Sequence, residues 1–203
     1  MASQVAHVIY AQKYFERYPS TMDKDEFVLG CIFPDIRRIN KSIKRKDTHL
    51  RFNPLDLDFS GLTSFQAGWK FHLYCDMKRE EILAKYNFYS QEETTDFWNL
   101  PAKIFEDEVV YEDCKNWEKL IHYFNNIPAV DTGIGVPRET LELWYAIIAK
   151  YIEKKPDNKS MKIFLSKQPK LAPIAGEIVK VIDKLRKNGK VVEILSKIKE
   201  EIV

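Results

Sequence analysis

Apolar residues return at helical spacing along most of this chain, and strand-like alternation is rare. The segment 139–154 shows the pattern most clearly, with Leu141, Trp144, Ile147, Ile148 and Tyr151 on one face. Helical stripes of this kind must be buried against one another, so the expected fold is all-α. Composition agrees. Glycine occurs only seven times in 203 residues, and Lys, Glu, Ile and Leu are abundant. Apolar residues make up 45% of the chain, enough for one substantial core. A single-domain multi-helix bundle over 1–203 is expected, with a metal site between its N-terminal helices.

Ser3 reads as the N-cap of a first helix, with Val5, Ile9 and Phe15 on its apolar face and Pro19 closing it. A second helix is expected from about Asp23 through Phe27, Val28 and Ile32, ended by Pro34. The basic stretch that follows, and the chain as far as Asp58, read as loop. Ser60 is then expected to cap a long helix reaching about Tyr86. Residues 94–126 read as two helices broken near Pro101 and Cys114, and Pro137 falls in the first turn of the helix over 139–154. Further helices are expected over 160–167, 172–188 and 190 to the end. Chemistry is expected in residues 5–90, with 91–203 as helical scaffold, because the last fifty residues hold no histidine and much Lys and Glu.

The balance of 32 basic against 30 acidic residues leaves a net charge of +2, so no dedicated nucleic-acid binding is expected. One dense basic run, RRINKSIKRK from Arg37 to Lys46, reads either as a solvated loop or as a rim that attracts an anionic substrate. Cys31, Cys75 and Cys114 are odd in number and lack metal-knuckle spacing, which disfavours a disulfide framework and fits a reducing compartment. The opening residues show no basic region ahead of an apolar one, so no signal peptide is expected. No apolar run approaches the roughly 18 residues of a membrane span. The expected localisation is cytoplasmic, with no transmembrane segment.

Three of the four histidines precede residue 73, each in an apolar or aromatic setting: QVAHVIY, DTHLRF and WKFHLYCD. A buried imidazole needs partners for its ring nitrogens. Imidazole with carboxylate suits zinc, iron, nickel or manganese. His72 and Asp76 are four apart and share one helix face. That pair reads as two metal donors or as a plain histidine–carboxylate hydrogen bond. Gly68, one turn earlier, would leave room for a neighbouring helix or a ligand. Asp35 reads as an N-cap or a ligand, and His7 as a satisfied core histidine or a ligand. Asp47 could orient His49, and His122 reads as structural. The aromatic residues Phe65, Trp69, Phe71 and Tyr74 read as core, or as the lining of a pocket for a base or an acyl chain.

Taken in order, the first-helix histidine His7, the segment VLGCIFPDI, Thr48-His49 and FQAGWKFHLYCD make a pattern. It resembles the bacterial and archaeal proteins related to zinc-dependent phospholipase C, over about residues 5–80. The matching pieces are Leu29-Gly30 through Pro34-Asp35, and Gly68 through His72 to Asp76. The resemblance implies an all-α fold in which His7, Asp35, His49, His72 and Asp76 converge on one or two divalent ions, zinc first. It also implies hydrolysis of phosphate esters by metal-activated water. Where relatives carry another histidine, this chain runs Met77-Lys78-Arg79-Glu80, and Glu80 stands one turn beyond Asp76 as a substitute ligand or base.

The expected function is therefore a metal-dependent hydrolase acting on a small-molecule or lipid-like phosphoester, a soluble one by preference. The basic run and Lys70 could help to hold its phosphate. An HD-type phosphohydrolase is an alternative, although no histidine here is followed directly by Asp. A non-catalytic helical protein with a structural metal or a buried His/Asp network is another.

Overall fold

The computed structural model describes residues 3–203. Among the described residues there are ten α-helices and no strand. They are α1 (Gln4–Arg17), α2 (Lys24–Ile32), α3 (Arg45–His49), α4 (Ser64–Lys85) and α5 (Leu100–Val110). After these come α6 (Trp117–Asn125), α7 (Arg138–Tyr151), α8 (Asn158–Ser166), α9 (Ala175–Leu185) and α10 (Gly189–Glu201). The expected all-α, single-domain bundle is what forms, around one continuous apolar core. No helix among the described residues is long and apolar enough to cross a membrane.

Local chemistry explains where the helices begin, and corrects two expectations. Asp23 caps α2 by accepting from the Glu26 N–H at 2.8 Å. Ser60 does not cap α4; its hydroxyl donates to Asp58 instead. The cap is Thr63, which accepts from the Gln66 N–H while the Gln66 side chain accepts in return from the Thr63 N–H, both at 3.2 Å. The basic stretch is not all loop. Phe33–Arg38 winds as a 3-10 turn and α3 follows, so Thr48 and His49 sit on a short helix. Asp47 is spent at the start of that helix, accepting from the Lys44 N–H at 2.7 Å.

The pairing of α2 with α4 is the most extensive between any two elements. Two glycines permit it. A Cβ on Gly68 would stand 1.9 Å from the carbonyl oxygen of Phe27, and one on Gly30 would stand 2.0 Å from that of Phe65. No real side chain tolerates such distances, so the two backbones touch. The contacts advance in step, Gly68 on Phe27 and His72 on Cys31, so the helices run side by side in the same direction. Helix α1 packs across this pair, α5 packs against α1, and α10 packs against α1, α4 and α5. Helices α6 and α7 cover the far side of α2, with the Trp144 indole donating to the Ile32 carbonyl and the Tyr145 hydroxyl to that of Leu29. Helices α8 and α9 close the bundle back onto α5.

Gly68→Ala should therefore cost about 3 kcal/mol of unfolding free energy through overpacking. Gly189→Ala, where an added Cβ meets nothing within 4 Å, should shift it by less than about 1 kcal/mol. Urea denaturation of both variants checks the contrast, and equal costs would show that the α2–α4 contact is not the constraint.

Candidate metal centre

Five side chains from four elements meet between α1, α4, the 3-10 turn and α3. His7 comes from α1, His72 and Asp76 from α4, Asp35 from the 3-10 turn and His49 from the end of α3. The rings of His7 and His72 stack with centroids 3.9 Å apart, and His49 meets His72 edge-on at 5.5 Å. Nε2 of His7 lies 3.5 Å from one Asp76 oxygen, and Nε2 of His72 lies 3.6 Å from the other. Donors around a tetrahedral zinc stand about 3.4 Å apart. Two donor groups result, His7–His72–Asp76 and Asp35–His49–His72, with His72 common to both.

The state of His72 follows from its neighbours. Its Nδ1 lies 2.7 Å from the Cys31 carbonyl oxygen, which can only accept, so Nδ1 carries the hydrogen. Burial, reinforced by the stacked His7, lowers the pKa of His72 to about 3, and the ring is neutral. Its Nε2 therefore presents a bare lone pair, buried, with no hydrogen-bond partner among the described residues. That lone pair points into a site shared with Asp76. Burial works against ionisation of Asp76, yet with His72 and His7 among the groups favouring the anion its pKa lies well below the usual carboxylate range. Nε2 of His72 and an Asp76 oxygen then face each other across 3.6 Å. A cation fits that gap, so the residues present suit a divalent ion. One lone pair serves one ion, so His72 cannot ligate two.

The second group is more heavily engaged. Asp35 is fully buried; its Oδ2 accepts from the Gln4 side-chain amide at 2.9 Å and its Oδ1 pairs with Arg38 at 2.9 Å. Burial opposes its charge, but Arg38, His72, His49 and Arg37 together hold its pKa far below the ordinary value. Asp35 caps nothing. His49, lowered to about 4 by burial, meets the Thr48 hydroxyl at 2.8 Å through Nδ1, so Thr48 takes the place expected of Asp47. The Nε2 of His49 is buried without a partner among the described residues.

Other expected contributors lie elsewhere. Lys70 ties Asp56 at 2.5 Å and the Asp58 carbonyl at 2.7 Å, on a face of α4 turned away from His72 and Asp76. Glu80 joins neither donor group and accepts from the Tyr89 hydroxyl. His122 is exposed on α6, and Phe65, Trp69 and Phe71 are core. The hold that Gln4 and Arg38 have on Asp35 was not foreseen, although each lies three residues from a candidate donor, His7 and Asp35 respectively, and helical periodicity points to such neighbours.

Beneath the cluster lies a polar floor that sequence reasoning missed. Arg79 of α4 pairs with Glu106 of α5 at 2.7 Å, both fully buried, and the Tyr10 hydroxyl of α1 donates to the same carboxylate. Next to it, Asp107 accepts from the Ala6 N–H at 3.0 Å and from the Tyr151 hydroxyl at 3.1 Å. This floor fixes α1, and so His7, against α4 and α5.

No family model, no curated protein and no solved structure matches the chain.

Burial pushes the Asp107 carboxyl from its ordinary 3.8 up to about 7. The folded chain then keeps a proton that the unfolded chain releases, so this group's contribution is complete below about pH 4 and lost as pH rises to about 7. Unfolding free energy should fall across that window by at most about 1.4 kcal/mol per pH unit. Asp107→Asn should remove this component, which urea titrations of both proteins from pH 4.5 to 8 would measure. An unchanged slope in the variant would assign the titration to another group.

Proposed function

We propose that this chain is a metal-dependent hydrolase of phosphate esters. The observation that carries the reading is the buried Nε2 lone pair of His72, 3.6 Å from one Asp76 oxygen and in one donor group with His7, a set that suits a divalent cation. Its resemblance to phospholipase C-related proteins points the same way. His7, His72 and Asp76 would hold the ion, with zinc the first candidate and iron, manganese and nickel the others. Asp35 and His49 would complete its shell or hold a second ion. Such an ion supplies Lewis acidity that activates water and polarises a phosphoryl oxygen.

The chain's own groups do the rest. The Cys31 carbonyl fixes the tautomer and orientation of His72, as outer hydrogen bonds do for ligating imidazoles. Gln4 and Arg38 hold Asp35 in one orientation. Arg37 and Arg38 face a cleft of about 570 Å³ beside the cluster, where an anionic ester would meet positive charge on arrival. An HD-type phosphohydrolase would use much the same donors but needs the adjacent His-Asp pair that this chain lacks. A second reading is a non-catalytic buried network. It is favoured by one observation, that Gln4 and Arg38 already meet both oxygens of Asp35.

Elemental analysis of protein purified without a histidine tag separates these readings. One or two equivalents of a transition metal are expected in wild type, with loss in the His72→Ala, Asp76→Ala double variant. Hydrolysis of chromogenic phosphomonoesters and phosphodiesters should fall to background on chelation and return when the metal is restored. Wild type that takes up none of these ions on reconstitution would leave the buried network standing and end the hydrolase reading.

A further inference from the structure

The cleft beside the metal centre is charged far beyond what one ester phosphate requires. Three arginines, Arg37, Arg38 and Arg45, line it together with four lysines, Lys41, Lys44, Lys103 and Lys170, and no carboxylate is among its lining residues. Asp35 pairs with Arg37 and Arg38 from behind. Among the described residues no carboxylate pairs with Lys41, Lys44, Arg45 or Lys170, and Lys103 feels Glu80 and Asp76. A single phosphodiester carries one negative charge and would leave most of this field unbalanced. The charge calls for several linked phosphates.

The rim of the same cleft carries an aromatic platform. Trp98 is 87% exposed, while the other three tryptophans, Trp69, Trp117 and Trp144, are buried. Exposure on this scale leaves a large apolar ring in water. The backbone also bears a cost to hold it there: Phe97, Trp98 and Asn99 have φ of 47°, 56° and 63°, three consecutive residues in the left-handed region, and none of them is glycine. Phe97, beside it, is partly buried against the core and anchors the segment. Strain that presents a ring rather than burying it is a mark of binding sites.

We propose that the cleft binds a nucleoside oligophosphate, with the base on the Trp98 ring and the phosphate chain along the arginines and lysines. Cations and an exposed ring at one rim match the two halves of such a ligand, charge and π-face. Arg37 and Arg38 border both the cleft and Asp35, so that side of the cleft receives the phosphates. This deepens the hydrolase reading by naming the substrate class of the same site, and rests on it for the chemistry. Binding itself needs only the cleft.

The test uses chelator-treated protein, so that binding and metal chemistry are scored apart. ATP, inorganic tripolyphosphate, adenosine and a ten-residue oligothymidylate are titrated at fixed salt, reading tryptophan fluorescence and calorimetry. ATP should bind and quench the fluorescence. Tripolyphosphate should bind more weakly without quenching, and adenosine should bind least. Trp98→Ala should weaken ATP about tenfold and leave tripolyphosphate unchanged. Arg45→Glu with Lys170→Glu should weaken both anions, with circular dichroism confirming that the exposed substitutions leave the helices intact. Equal affinity for ATP and tripolyphosphate, or an ATP affinity indifferent to Trp98→Ala, would overturn the base site. Tighter binding of the oligothymidylate than of ATP would assign the cleft to nucleic acid and overturn the proposal. ATP binding in a protein that takes up no metal sinks the hydrolase reading alone. Metal-dependent esterase activity without ATP binding sinks this one alone.

Discussion

The backbones of α2 and α4 touch at Gly30 and Gly68, and the metal centre depends on that approach. One turn beyond Gly68 on the same face, His72 reaches the Cys31 carbonyl at 2.7 Å. A side chain at either glycine would wedge the helices apart and stretch or break that bond. Without it the imidazole could take the other tautomer, and Nε2 would carry a hydrogen toward the cluster instead of a lone pair. The packing constraint thus becomes a chemical one: contact between backbones decides which nitrogen can bind a metal. The same contact places Asp35, three residues beyond Ile32 on the turn that ends α2, against His72 and Gln4.

The polar floor has a different kind of effect. A buried pair such as Arg79 and Glu106 adds little net stability, because taking both charges out of water costs about as much as their attraction returns. Losing one partner is another matter, at about 3–5 kcal/mol, since the other charge is then buried alone. What the pair contributes is position. Glu106 receives α4 through Arg79 and α1 through Tyr10, and Asp107 receives the Ala6 amide. Ala6 is the residue before His7, so α5 sets the depth at which that histidine meets His72. A site on α1, α3 and α4 is therefore held from below by a helix that carries none of its donors.

Local signals in the sequence announced most of the helices, because their apolar stripes and caps lie within a few residues of one another. Asp23 with Glu26 is such a signal. Ser60 misled because Thr63, three residues on, has Gln66 at the right spacing to return its hydrogen bond, and the two-way cap prevails over the lone serine. The convergence of His7, Asp35, His49, His72 and Asp76 was legible only as an ordered pattern, since no local rule says that α1 and α3 meet α4. Gln4 and Arg38 were within reach of helical spacing alone. The Arg79–Glu106 pair was not: its partners are 27 residues apart on two helices, and each reads as an ordinary solvated charge until the bundle closes over it.

Charge segregation links the two halves of the functional reading. The whole chain is nearly neutral, and lysines elsewhere are matched locally, as in Lys197 with Glu193, Lys85 with Glu201 and Lys199 with Asp113. Among the described residues Arg37 and Arg38 pair with the buried Asp35 while no carboxylate pairs with Lys41, Lys44, Arg45 or Lys170, so much of the cleft field survives within it, over roughly the 8–10 Å that salt permits. Behind them sit two ionised carboxylates, Asp35 and Asp76. Without a cation in the cluster these repel an incoming phosphate and offset part of the attraction. A divalent ion would offset that charge and strengthen the net field of the cleft. Ion and oligophosphate would then favour each other's binding through charge alone, and by linkage the effect is equal in both directions.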